Sequence, residues 1–106
     1  MKQPKLLTNN EKTDSLLKIV DEYHEFFKGF YNAKKIKFYL LNKNLDNMKI
    51  SFAVNETVIC FGTFKLKTNK YVPYITVKDE LIEEEFKKRF TNAIYIEESI
   101  YEYIAK

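Results

Sequence analysis

The residues of this 106-residue chain best placed to do chemistry are lysines at short spacing. In Phe64-Lys65-Leu66-Lys67-Thr68-Asn69-Lys70-Tyr71, the cations Lys65, Lys67 and Lys70 fall at or beside one expected turn. Lys65 and Lys67 are two residues apart, so on a strand they project from one face while Phe64 and Leu66 project from the other. A basic hairpin tip of this kind can lie along a nucleic-acid groove and contact phosphates. Lys35, Lys37 and Lys49 form a second set on the outward side of two earlier strands, with Tyr39 between them. A plainer reading stands beside this one: lysines also solvate a sheet and guard its edges against aggregation. Lysine is moreover a point charge, without the forked geometry through which arginine reads bases.

These lysines belong to a wider asymmetry. Residues 28–78 carry ten lysines against two acids, Asp46 and Glu56, whereas residues 79–106 carry four cations against eight acids. The net charge of +3 therefore hides a basic middle between two acidic ends. A concentrated positive surface attracts polyanions when its cations share a face. The abundance of Lys, Asn, Ile, Tyr and Phe, with a single Arg, also matches the residue usage of an AT-rich coding sequence. Such a bias raises lysine without any ligand.

Other reactive groups point to structure. His24 is the only histidine and Cys60 the only cysteine, whereas an ordinary metal site needs about three or four ligands at suitable spacing. His24 falls on the flank of a helix with Leu17 and Tyr31. Cys60 falls mid-strand on an expected core face, where a free cysteine behaves as a small hydrophobe; it cannot form an internal disulfide, which agrees with a reducing compartment. Glu83, Glu84 and Glu85 and the Glu97-Glu98 pair could supply carboxylates for acid–base work, but they read equally as a solvated helix start and a polar face. No glycine loop is present to cradle phosphates and no serine sits in a nucleophile elbow. The expectation is a non-enzymatic protein with no cofactor and no metal.

The aromatic residues have two readings. Most phenylalanines must be core. Phe26, Ile59, Phe61, Tyr39, Tyr71 and Tyr74, however, sit off the main apolar faces of their elements. If the second face of the sheet is bare, Ile59, Phe61, Tyr71 and Tyr74 form an interface for a protein partner or a homodimer. Alternatively, the C-terminal segment covers them.

The elements that must position these residues follow from periodicity. Residues 1–7 read as a flexible tail, and Thr8 with Glu11 fits a capping box. Leu16, Val20, Tyr23, Phe27 and Phe30 then recur at helical spacing. From Lys35 the period drops to two: Ile36, Phe38 and Leu40 share one face, then Met48, Ile50, Phe52 and Val54, with turn chemistry over residues 42–47. Val58, Cys60, Gly62, Phe64 and Leu66 share a face of the third strand, and residues 71–77 form a fourth, which Pro73 places at an edge. Asp79 caps a second helix whose acids lead and whose cations follow, as the helix dipole favours. Residues 93–106 are ambiguous, and a short strand followed by a short helix fits them best.

The expected fold is thus α+β, one domain over residues 1–106. A long N-terminal helix packs on a four-stranded antiparallel sheet, followed by a second helix and a short C-terminal strand or helix. A winged-helix-like arrangement is a variant, though no pair of adjacent recognition helices is visible. No apolar run is long enough to span a membrane and no apolar stretch follows the basic start, so a cytoplasmic location is expected. The leading functional expectation is a small DNA-binding protein, dimeric, gripping phosphates through Lys65, Lys67, Lys70, Lys35, Lys37 and Lys49. The rival is a protein-interaction module, of inhibitor, immunity or regulatory type, using the aromatic face and the acidic helices.

Overall fold

A computed structural model of the chain describes residues 10–32, 35–42 and 44–105. The expected N-terminal tail and Thr8 of the capping box lie outside the described residues, as do Lys34 and Lys43. Helix α1 (Asn10–Tyr31) follows from its apolar stripe: Leu16, Val20, Tyr23 and Phe27 are all buried. The stripe's last member departs from expectation, since Phe30 is 44% exposed and stacks on Phe26 instead of entering the core. Asn32, in the left-handed region with φ 49°, follows the helix, a conformation that asparagine tolerates.

Strands β1 (Lys37–Leu40), β2 (Asn47–Val54), β3 (Thr57–Lys67) and β4 (Lys70–Val77) form an antiparallel meander. Helix α2 (Glu80–Arg89) then crosses over to β5 (Ile94–Tyr95), which pairs parallel with β4 through Tyr74↔Ile94 and Ile75↔Tyr95. A parallel neighbour requires such a crossover, because a tight turn only reverses the chain. Helix α3 (Ile100–Ala105) ends the fold. The sheet therefore has five strands, one more than the meander read from the sequence, in the order β1-β2-β3-β4-β5. Helices α1 and α2 are separated in the chain by the whole meander, so the arrangement is not that of a winged helix.

Two hairpins turn on two residues each, Asn55-Glu56 and Thr68-Asn69, all four with positive φ. This backbone twist matches that of the flanking strands and keeps their register tight. Between Phe52 and Ala53 the β2–β3 register shifts: Phe52 faces Cys60, but Ala53 faces Val58. Ile59 is the extra residue of this bulge. It is buried with the core while Val58 passes to the opposite face, the reverse of strict alternation. Pro73 is not on a bare edge, since β5 pairs with the next two residues of β4. The Ile75 carbonyl accepts from Ile96 N–H on the outer side, and strand backbone groups alternate, so Pro73 lacks its N–H on that outer side rather than toward β3.

The core lies between one sheet face and the two longer helices. Met48, Ile50, Phe52, Cys60, Phe64, Tyr71 and Ile75 meet Leu16, Val20, Tyr23 and Phe27 of α1 and Ile82, Phe86 and Phe90 from the α2 region. Asp79 caps α2 as expected, accepting from Leu81 N–H at 2.9 Å. Its other oxygen accepts from the Tyr31 hydroxyl, which ties the end of α1 to the start of α2. Burial, and then this hydrogen bond to Asp79, push the Tyr31 phenol well above its ordinary pKa. Because Asp79 serves both helices, Asp79→Ala is expected to cost about 1–2 kcal/mol of stability, read from the midpoint of urea unfolding. A change below a few tenths of a kcal/mol would show that neither contact matters. No helix of the described residues is long and apolar enough to cross a membrane.

Candidate functional site

The face of the sheet turned away from α1 and α2 carries most of the candidate lysines. Register sorts them into rows across the strands. Lys37 pairs with Ala53, and Tyr39 with Ser51, which faces Phe61 and then Thr76. Next come Lys49, Thr63 and Tyr74, then Asn47, Lys65 and Val72, and last Lys67 opposite Lys70 at the hairpin turn. Lys49 and Lys65 are diagonal neighbours, roughly 7–8 Å apart at this register. Three strands thus bring Lys49, Lys65, Lys67 and Lys70 into one contiguous patch. Lys37 shares the face but lies at its opposite corner. Lys35 precedes β1 and borders, with Lys37, a shallow depression that also includes Asn55 and Glu56.

Tyrosines organise this charge. The Nζ of Lys65 lies 4.5 Å from the centre of the Tyr74 ring and that of Lys67 lies 5.2 Å from it. Lys67 also donates to the Tyr74 hydroxyl. One tyrosine therefore engages both cations: its ring attracts Lys65, a contact worth roughly 0.5–1 kcal/mol at an exposed site, and its hydroxyl accepts from Lys67. Tyr74 belongs to this patch rather than to a separate apolar interface. The ion pairs Lys87–Glu83 and Lys88–Glu85 lie within α2 and leave these lysines out.

Helix α3 crosses the middle of the same face. It is anchored by Tyr103, whose ring packs on Phe61 at 4.6 Å between centres. The Tyr103 hydroxyl donates to the paired carbonyls of Ile50, at 2.6 Å, and Gly62. A side chain at position 62 would disrupt the adjoining β3–β4 seam, because a Cβ there would stand 2.1 Å from the Tyr74 carbonyl oxygen. Lys49 Nζ sits 5.3 Å from the centre of the Tyr103 ring. Tyr103→Phe keeps the packing and removes the shared donor. We expect a loss of about 1–1.5 kcal/mol in chemical denaturation; an unchanged midpoint would mean that ring packing alone holds α3.

Between α3 and the β1–β2 side of the sheet lies a groove of about 520 Å³. Tyr39, Leu41, Phe61, Ile100 and Ile104 wall it, and Ser51 and Ala53 lie along its floor. Lys49 and Glu56 border it as well. Nothing in the local spacing of β1 or β2 announces this groove. It exists because the short C-terminal helix docks on the far side of the sheet.

That docking also decides the aromatic question. Phe61 is fully buried beneath α3, Ile59 is buried through the bulge, and Tyr71 faces the core with its hydroxyl donating to the Leu45 carbonyl at 2.8 Å. The C-terminal segment thus covers Phe61, whereas Ile59 and Tyr71 belong to the core beneath α1 and α2. An interface or homodimer built on Ile59, Phe61 and Tyr71 loses its premise, because these side chains are already packed within the chain.

The remaining reactive groups are similarly enclosed. Cys60 is fully buried and burial pushes its thiol far above the ordinary range, the reverse of an activated nucleophile. His24 is buried on the flank of α1. Tyr95 donates to the Phe90 carbonyl at 2.7 Å, and burial raises its pKa to about 12. Among the described residues no three His, Cys, Asp or Glu side chains gather as a metal site would require. Comparison of the chain with protein-family models, curated proteins and solved structures gives no match.

Proposed function

We propose that the chain is a non-catalytic DNA-binding protein that grips the phosphate backbone through Lys65, Lys67 and Lys70, supported by Lys49. Lys35 and Lys37 engage the backbone at the far corner of the same face. The observation that carries this reading is the gathering of four lysines from three strands into one patch outside the ion pairs of α2. Cations on neighbouring strands are normally spread apart, since like charges directly opposite destabilise a sheet. Here Lys67 and Lys70 face each other across the turn. The Tyr74 hydroxyl offsets part of that cost by accepting from Lys67, and a phosphate would offset more.

The patch contains lysines and no arginine, so it grips the backbone as a set of point charges and discriminates weakly between base sequences. The test is fluorescence anisotropy with a labelled duplex across a range of salt. Binding that weakens steeply as salt rises is expected, because each neutralised phosphate releases counterions. No detectable binding at about 50 mM salt, where such contacts are strong, overturns the reading. A complex with one protein that survives nuclease treatment would then favour the protein-interaction alternative.

A further inference from the structure

The groove beside the lysine patch has contents that phosphate binding does not use. We infer that it receives one unpaired base of a bound strand, with the adjoining phosphate on Lys49; this rests on the phosphate-gripping reading above. Its volume of about 520 Å³ lies within the usual span of small-ligand clefts, roughly 300–1,000 Å³. Tyr39 is 40% exposed and presents its ring at the wall, the one aromatic face of the groove open to a base, since Phe61 is buried beneath Tyr103. Ile104, 66% exposed, supplies an aliphatic wall on the α3 side. A flat, weakly polar ring system suits such a slot, and stacking is indifferent to which base supplies it.

The polar groups are arranged along β2 in a way that fits a nucleotide. Lys49, Ser51 and Ala53 alternate on this face, so Lys49 and Ala53 are about 13 Å apart along the strand. Glu56 lies past the Ala53 end, at the β2–β3 turn. The slot therefore has a cation at one end, a hydroxyl on the floor and a carboxylate at the other end. The Asn42 amide is already committed, donating to the Asn47 carbonyl at 3.0 Å and accepting from Lys49 N–H at 2.8 Å. An aliphatic anion would satisfy Lys49 and leave Glu56 unused. A nucleotide uses both: its phosphate meets Lys49, and an exocyclic amine meets Glu56, which as a carboxylate only accepts. Cytosine, adenine and guanine carry such an amine and thymine does not.

Lys49 connects the two sites, being a diagonal neighbour of Lys65 and a border of the groove. A strand running over the hairpin lysines can thus place its next base in the slot without leaving the sheet. This predicts a preference for single strands or unpaired ends over an intact duplex.

Three labelled 12-nucleotide probes test it by anisotropy at low salt: an all-cytosine DNA strand, an all-thymine strand, and a strand of the same phosphates without bases. The cytosine strand is expected to bind at least about fivefold tighter than the base-free strand, the lower end for one stacked base, with thymine in between. Tyr39→Ala combined with Ile104→Ala, both at exposed positions, is expected to erase that advantage while leaving base-free affinity unchanged. Equal binding of cytosine and base-free strands, both abolished by loss of the hairpin lysines, overturns the base site and leaves the phosphate reading standing. Failure of every probe to bind overturns both. A base advantage that survives the paired substitution places the stacking elsewhere and overturns the groove assignment.

Discussion

Replacing Lys65, Lys67 and Lys70 together with alanine is expected to flatten the salt dependence of DNA binding by close to three contacts. Each phosphate contact on a duplex contributes a slope of about 0.9 in log affinity against log salt, so the triple variant should be shallower by about 2.7. At about 0.1 M salt the same arithmetic corresponds to roughly two to three orders of magnitude in affinity. The structure explains why the effect should be so concentrated. Lys65 and Lys67 both contact Tyr74, one at its ring and the other at its hydroxyl, and Lys70 stands directly opposite Lys67, so all three present to one stretch of backbone.

The control is equally specific. Lys87 and Lys88 are as positive but belong to α2, which packs on the opposite face of the sheet and pairs them with Glu83 and Glu85. Substituting both should leave the slope within error of the parent. Comparable losses from the two variants would mean that net charge, and not the patch, governs binding.

Phe86→Ala is expected to remove about 3–5 kcal/mol of stability, out of a total of about 5–15 kcal/mol for a domain of ordinary stability. Phe86 is fully buried at the point where α1 and α2 meet over the sheet. Its ring stacks on Phe27 at 5.2 Å with an interplanar angle of 3°, and meets Tyr23 at 5.0 Å and Phe26 at 5.4 Å. Phe90 and Tyr95 complete the enclosure. Alanine there leaves a cavity that rigid rings cannot collapse to fill. Urea unfolding should lose roughly 2 M from its midpoint, taking an ordinary slope for a small protein. If the variant does not fold, Phe86→Leu should show an intermediate loss. A shift below about 1 kcal/mol in either would mean that the ring cluster is loosely packed.

The local pattern of the chain was enough to locate most elements. The spacing from Leu16 to Phe27 marks α1, because an amphipathic stripe needs only its own residues to be visible. The alternations in β2 and β3, the Asp79 cap and the reversal of charge along α2 are legible for the same reason: each is set within a few residues. Of the two errors of alternation, that of Tyr71 was legible, since it stands three positions from Tyr74 along β4 and so on the opposite, core face. The other has a cause outside the strand. Ile59 and Val58 exchange faces because β3 carries an extra residue opposite β2, and a bulge is a property of the pair.

The candidate site divides along the same line. Two-residue spacing shows that Lys65 and Lys67 share a face, but it cannot show that Lys49 and Lys70 join them. That depends on hydrogen-bonded register between strands distant in the chain, which is selected by burying Phe52, Cys60, Phe64 and Ile75 together under the helices. Likewise, Ile100, Tyr103 and Ile104 announce a short helix without saying where it lies. Phe61 on the far face, and two backbone carbonyls able to accept from the Tyr103 hydroxyl, draw it across the sheet and create the groove. Secondary structure and the charge of each strand face were determined by neighbours in sequence; the patch, the slot and the burial of the aromatics were decided by packing on both sides of the sheet, which no single segment contains.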